Sequence, residues 1–139
     1  MSRDKLLSKV LWAAAGFNVV GALVFAFPAS SLGRLAGLPG DAPSAYRAFT
    51  AFFILLFGAA YAWLARQPQP DRPMVVFGAL GKGAAFALIV LLWLAGAASG
   101  MGVALGAGDL LFAGLFLWCV RGGRAMATSR RAGGHARVF

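Results

Sequence analysis

Long apolar runs separated by short polar segments are the main pattern along this chain. Residues 10–27 and 48–65 contain no charged residue, and residues 74–120 form a third run that only Lys82 and Asp109 interrupt. A helix needs about 20 residues to cross a bilayer, so the third run is long enough for two helices. The pattern therefore predicts four membrane-spanning helices.

The segments between the runs are short, which predicts an all-α, up-down-up-down four-helix transmembrane bundle. We expect one domain, residues 1–120, with helices at about 9–27, 47–66, 74–97 and 101–120. The last two helices are separated by small residues and glycines at 98–102, where we expect a turn. Residues 121–139 are predicted to form a basic cytoplasmic tail.

The first connection, "ASSLGRLAGLPG" at residues 29–40, carries its own signals. Serines that can cap a helix precede three spaced leucines, and a Pro-Gly pair follows them. This order predicts a short helix that lies in the membrane interface of the first outer loop.

Composition supports a membrane protein. Hydrophobic residues make up 60% of the chain and charged residues 12%, with a mean hydropathy of +0.78. These values are outside the range of a soluble domain of this size. The net charge of +9 is not read as a nucleic-acid signal, because the basic residues flank apolar runs instead of lining a soluble face with aromatic residues.

The basic residues are unevenly distributed along the chain. Ten of them lie in the amino-terminal segment, in the connection after the second helix and in the tail, whereas the opposite side carries only Arg34 and Arg47. The positive-inside rule then predicts a bacterial inner-membrane protein with both termini in the cytoplasm. The basic residues before the first run also resemble a signal peptide, but we expect this run to remain as a span.

The tail is predicted to bind lipid instead of packing on the bundle. It has few apolar residues, and its arginines can contact anionic headgroups. The arginines expected to do so are Arg121, Arg124, Arg130 and Arg131.

Lys82 and Asp109 are the candidate chemistry of the spans. Each lies deep in a predicted helix, and an unpaired charge there is expensive, so opposite charges on consecutive antiparallel helices should form an ion pair. Asn18 lies at a similar depth of the first helix, and Tyr61 could add a hydroxyl from the second. These polar groups share helix faces with small residues and with aromatic side chains that could line a ligand tail, namely Phe86, Phe112 and Phe116.

Three functions are compatible with such a polar cluster. Intramembrane ionisable residues are usually functional, which favours a non-enzymatic protein that binds a lipophilic ligand or seats a partner helix. A small proton-coupled transporter acting as a homo-oligomer is the alternative. In a purely structural subunit of a membrane complex, the ion pair would only fix the register of two helices.

Metal, redox and cofactor chemistry is not expected. Cys119 is the single cysteine, so neither an intrachain disulfide nor a Cys-x-x-Cys site can form. His135 is the single histidine, so a haem site with two histidines from this chain cannot form either. With one acid and no histidine in the spans, no catalytic residue is assigned, and the chain is expected not to be an enzyme.

Four stretches of the chain are similar to segments of a family of uncharacterised four-span bacterial inner-membrane proteins. They are "GFNVVGALVFAFP", "FGAAYAWLARQP", "GALGKGAAF" and "GDLLFAGLF". The resemblance implies a layout of four spans and no activity. In size and span number the chain also resembles the small multidrug-resistance exporters, although Asn18 lies in the first span, where that family has its essential acid.

Overall fold

The structure is a computed structural model that describes the backbone of residues 3–134 and the side chains of residues 3–121. Within this part of the chain every regular element is helical. The helices are α1 (Arg3–Ala26), α2 (Ser31–Leu35), α3 (Ser44–Ala65), α4 (Arg72–Leu94) and α5 (Gly100–Gly134).

Four of these helices are long and apolar enough to cross a membrane. They are α1, α3, α4 and the Gly100–Arg121 part of α5. Within the described residues, the predictions of an all-helical protein and of four apolar helices are therefore confirmed, and these helices indicate a multi-pass membrane protein.

Local signals explain where the helices begin and end. The Asp71 side chain accepts a hydrogen bond from the Met74 amide and caps α4, which lets this helix start at Arg72, two residues before the predicted start. Its end at Leu94 is followed by Gly96 with φ of +75°, so the turn lies at 95–99 instead of 98–102.

Two helices extend beyond the predicted spans because polar residues continue them. α1 begins at Arg3 instead of residue 9, and α5 continues past residue 120 to Gly134, so the backbone of much of the expected tail is helical. The predicted short helix of the first connection is present as α2, capped by the Ser30 side chain, which accepts from the Gly33 amide.

The helices pack as two close pairs. α1 packs mainly against α3, and α4 packs mainly against α5. The pairs meet chiefly where α1 contacts α5, whereas α3 and α4 touch at only a few points. This unequal packing leaves the α3–α4 side of the bundle the least closed.

The hydrophobic core fills only one half of the bundle. We call this the core half; it comprises residues 7–15 of α1, 61–65 of α3, 75–79 of α4 and 113–120 of α5. We call the rest the distal half; it comprises residues 19–26 of α1, 44–57 of α3, 83–94 of α4 and 100–108 of α5. Within the described chain, residues 83–94 of α4 include no buried residue.

At the far end of the distal half, the first connection contacts the α4–α5 turn. The Ser99 hydroxyl donates to the Ala36 carbonyl over 3.1 Å and accepts from the Gly102 amide. Gly37, at φ of +74°, lies against Ser99, where a β-carbon would come within 2.5 Å of the hydroxyl oxygen. This contact links the two helix pairs at that end.

Candidate functional site

Lys82 lies between the two halves of the bundle and is 5% exposed. Its ammonium donates to Asp109 Oδ1 over 2.6 Å and to Asn18 Oδ1 over 2.9 Å. The predicted ion pair between α4 and α5 is therefore present, and Asn18 belongs to the same cluster. We call Lys82, Asp109 and Asn18 the polar cluster.

Asn18 connects the polar cluster to a third and a fourth helix. Its carbonyl oxygen accepts from Lys82, while its Nδ2 donates to the Ile54 carbonyl of α3 over 3.0 Å. A β-carbon at Gly58 of α3 would lie 3.1 Å from Asn18 Cβ, so the glycine allows α3 to approach this side chain closely. All four long helices thus meet at one polar point.

Aromatic rings surround the ammonium on its remaining sides. Lys82 Nζ lies 5.1 Å from the ring centre of Phe17, 5.4 Å from that of Tyr61 and 5.5 Å from that of Phe112. Ring faces at these distances attract a cation. Because two of the three ammonium hydrogens bond to oxygen, the rings account for the rest of the lysine's coordination.

Tyr61 contributes its ring and not the predicted hydroxyl. The hydroxyl donates to the Gly78 carbonyl of α4 over 3.3 Å, away from the polar cluster. A β-carbon at Gly78 would lie 2.7 Å from Tyr61 Cε1, which shows how closely the ring packs on α4. The prediction of a hydroxyl contributed to the cluster was wrong, because this carbonyl takes the hydrogen bond instead.

The other predicted aromatic residues have different positions. Phe116 is fully buried and packs against Tyr61 at 5.3 Å and against Phe112 at 6.4 Å, so it supports the ring layer from below. Phe86 lies against the Gly106 position of α5 and is not one of the rings facing Lys82. Sequence reasoning missed Phe17, although it directly precedes Asn18 on α1.

The position of Phe17 depends on a glycine of another helix. A β-carbon at Gly108 would lie 2.6 Å from Phe17 Cζ, so the ring occupies space that any other residue at 108 would fill. The pairing of position 17 with position 108 requires the helix arrangement, and the single signal in the sequence is the glycine beside Asp109.

Asp109 is the open member of the polar cluster. Its side chain is 22% exposed, against 5% for Lys82. One carboxylate oxygen accepts from the lysine, and no group in the described part of the chain donates to the other oxygen. The polar cluster therefore presents one unused hydrogen-bond acceptor and is not sealed.

Exposure rises along one face of α5, from the core half to the distal half. Phe116, Asp109 and Leu105 lie at spacings of seven and four residues and share this face. Phe116 is fully buried, the Asp109 side chain is 22% exposed and Leu105 is 45% exposed. This face of α5 is thus less covered in the distal half than in the core half, and Asp109 lies where the change occurs.

The described residues contain no group of three or more His, Cys, Asp or Glu side chains placed to hold a metal ion. The side chains of Arg124, Arg130 and Arg131 lie outside the described residues, so the expected lipid contact of the tail stays a prediction. Comparison of the chain with protein-family models, curated proteins and solved structures finds no match. Any function must therefore be argued from the geometry of the polar cluster.

Proposed function

We propose that this protein is a non-enzymatic integral membrane protein that binds a lipophilic ligand at the polar cluster. The observation that carries the proposal is the unused oxygen of Asp109, partly exposed where the less covered distal half begins. Ionisable residues at membrane depth are by default candidates for function, and an accessible carboxylate oxygen there can accept a hydrogen bond from a ligand. Apolar walls around it favour a ligand that is mostly hydrocarbon.

A register device alone would not need this opening. An ion pair that only locks two helices is most stable when both carboxylate oxygens are satisfied within the protein. Here Lys82 is surrounded by groups from all three other long helices, namely the Asn18 amide, the Asp109 carboxylate and the Tyr61 ring. Asp109, in contrast, keeps one carboxylate oxygen without a partner in the described chain. The asymmetry supports a binding site over a purely structural pair.

A proton-coupled carrier remains the second candidate, and the shape of the bundle disfavours it. Alternating access needs a route to the carboxylate from both sides of the membrane. Below the polar cluster the core half is closed by fully buried side chains, including Leu11, Val75 and Phe116. A carrier would therefore need a second conformation in which this core opens.

For the topology we propose an up-down-up-down bundle with both termini in the cytoplasm of a bacterium. An antiparallel arrangement of α1 and α3 is supported by one hydrogen bond. The Ser8 hydroxyl near the start of α1 donates to the Ala65 carbonyl at the end of α3 over 2.6 Å. Two arginines stack on tryptophans at this same end, Arg3 on Trp118 and Arg66 on Trp12, as at a membrane interface. The short α2 would then lie in the outer interface.

Filling the space above Asp109 tests the ligand site without touching the polar cluster. Leu105→Trp places a large ring on the accessible face, and Leu111→Trp is the matched control, because Leu111 is 62% exposed and lies on the opposite side of α5. We expect native mass spectrometry in mild detergent to show a bound lipophilic species on wild type and on the control, and its loss from Leu105→Trp. Equal occupancy in all three proteins would contradict the proposal.

A further inference from the structure

The α3–α4 side of the bundle opens just beyond the polar cluster. In the core half, Gly78 of α4 lies under the Tyr61 ring. One turn further, a β-carbon at Gly81 would be 3.7 Å from Phe57 of α3, an ordinary contact distance. The next residues on the same two faces, Phe53 on α3 and Ala85 on α4, are exposed.

Contacts between helices lie on the α1–α3 and α4–α5 sides of the distal half. Ile54 of α3 meets Gly21 of α1, and Ile89 of α4 meets the Gly106 position of α5. Between α1 and α5, Phe17 fills the space beside Gly108 at the level of the polar cluster, and the Ser99 contact with the first connection lies at the far end. Among neighbouring long helices of the described chain, α3 and α4 make the fewest contacts, so we take the gap between them as the least closed side.

The hydrogen-bonding capacity of the polar cluster decides what kind of head group fits there. Lys82 donates two of its three ammonium hydrogens to oxygen atoms, and three aromatic rings surround its remaining sides. The Tyr61 hydroxyl donates to the Gly78 carbonyl. The accessible group is the second oxygen of Asp109, which can only accept while it is ionised. A ligand that bonds to this oxygen must therefore donate a hydrogen bond.

The charge of the ligand's head group then decides which kinds of head group fit beside Asp109. The lysine and the aspartate form an ion pair whose formal charges cancel. An ammonium ligand would add an uncompensated positive charge at membrane depth, and a carboxylate or phosphate ligand would place a second negative charge beside Asp109. A neutral hydroxyl avoids both penalties and gives a charge-assisted hydrogen bond.

We infer that the ligand is a lipophilic alcohol that enters laterally between the distal halves of α3 and α4 and donates its hydroxyl hydrogen to the free oxygen of Asp109. The hydrocarbon part then lies in the gap, between Phe53 and Ala85, and is continuous with the bilayer. This inference rests on the proposed ligand-binding function and adds the chemical class of the ligand and its route.

The test uses three photoactivatable probes with the same long alkyl chain and a diazirine in the chain, ending in a hydroxyl, an amine or a carboxylate. The full-length protein in mild detergent is labelled with each, and the modified residues are mapped by mass spectrometry. We expect the alkanol to label residues of the distal halves of α3 and α4 at least about tenfold more efficiently than the other two, because a charge-assisted hydrogen bond is lost or a charge is stranded with them.

Two variants test the route. Ala85→Trp fills the gap, and Ala87→Trp, on the lipid-facing side of the same helix, is the matched control. Alkanol labelling should be lost in the first and unchanged in the second. Preferential labelling by the amine or the carboxylate, or equal labelling of both variants, would overturn this inference and leave the proposed function standing. Absence of specific labelling by all three probes, together with no bound species in native mass spectrometry, would overturn both.

Discussion

At the scale of single residues, Lys82 shows how a charge is kept inside an apolar bundle. Two oxygens and three aromatic faces replace the water that the ammonium would have at the surface. No one contact is sufficient, since a buried pair loses stability sharply when either partner is removed. The aspartate is therefore required by the lysine as well as by the proposed ligand.

Removing the charge of Asp109 alone should destabilise the protein. Asp109→Asn leaves the Lys82 ammonium without its counter-ion, and we expect the free energy of unfolding to fall by about 3 kcal/mol. Asp71→Asn is the matched control, because asparagine caps a helix as well as aspartate does. Thermal unfolding in detergent compares the two; equal melting temperatures would show that the ion pair contributes nothing to stability.

The residues of the polar cluster could be predicted, and the rings around it only in part. Lys82, Asp109 and Asn18 stand out because charges and amides are expensive in apolar runs and must find each other. Phe17 and Phe86 are apolar residues among many, so nothing in their own sequence context separates the ring that faces Lys82 from the one that does not. Only the contact between Phe17 and Gly108 places the ring.

At the scale of helices, glycines set the contacts that bring the polar cluster together. Within α4, a β-carbon at Gly78 would clash with the Tyr61 ring, whereas a β-carbon at Gly83 would meet nothing within 4 Å. The same residue type therefore serves packing at one position and not at the other. The sequence shows both glycines but not which one faces a neighbour.

This contrast gives a prediction with an internal control. Gly78→Ala should lower stability by about 1–3 kcal/mol, because the buried Tyr61 ring cannot move away without disturbing Phe116. Gly83→Ala should be neutral or stabilising by about 0.5–1 kcal/mol, since alanine favours the helix. Chemical or thermal unfolding of both variants measures the difference. Similar effects of the two substitutions would contradict the packing described for Tyr61.

The existence of the four long helices could be predicted from the apolar runs, whereas the residues at which the helices begin and end could not. The minimum length of a membrane-spanning helix is set by the thickness of the hydrocarbon core, which the runs reflect directly. The ends depend on caps and on polar residues that continue a helix beyond the apolar part. The Asp71 cap, the start at Arg3 and the continuation to Gly134 are of this kind.

At the scale of the whole molecule, the bundle is unequal along its length. The core half is closed by buried apolar side chains, whereas the distal half has few buried residues. This gradient could not be predicted from the sequence, because both halves of each helix consist mainly of apolar residues and the difference lies in how the helices pack. The proposed access of a ligand to Asp109 depends on this feature.

The proposed topology predicts on which side of the membrane the opening lies. With ten basic residues in the amino-terminal segment, the connection after α3 and the segment from residue 121 onward, and two in the first connection and the start of α3, both termini should face the cytoplasm. A reporter active only in the periplasm should be inactive when fused to the carboxyl terminus and active when inserted after Gly40. Activity of the carboxyl-terminal fusion would reverse the orientation and place the opening on the cytoplasmic side.

The central claim is that the polar cluster is a ligand site and not only a device that fixes helix register. The most direct measurement compares wild type with the double variant Lys82→Met and Asp109→Leu, by thermal unfolding and by native mass spectrometry of the bound species. Both substitutions remove the desolvation cost of the charges while keeping similar volume. We predict a melting temperature equal to or above that of wild type together with loss of the bound lipophilic species; a folded double variant that keeps this species at the wild-type level would contradict the account.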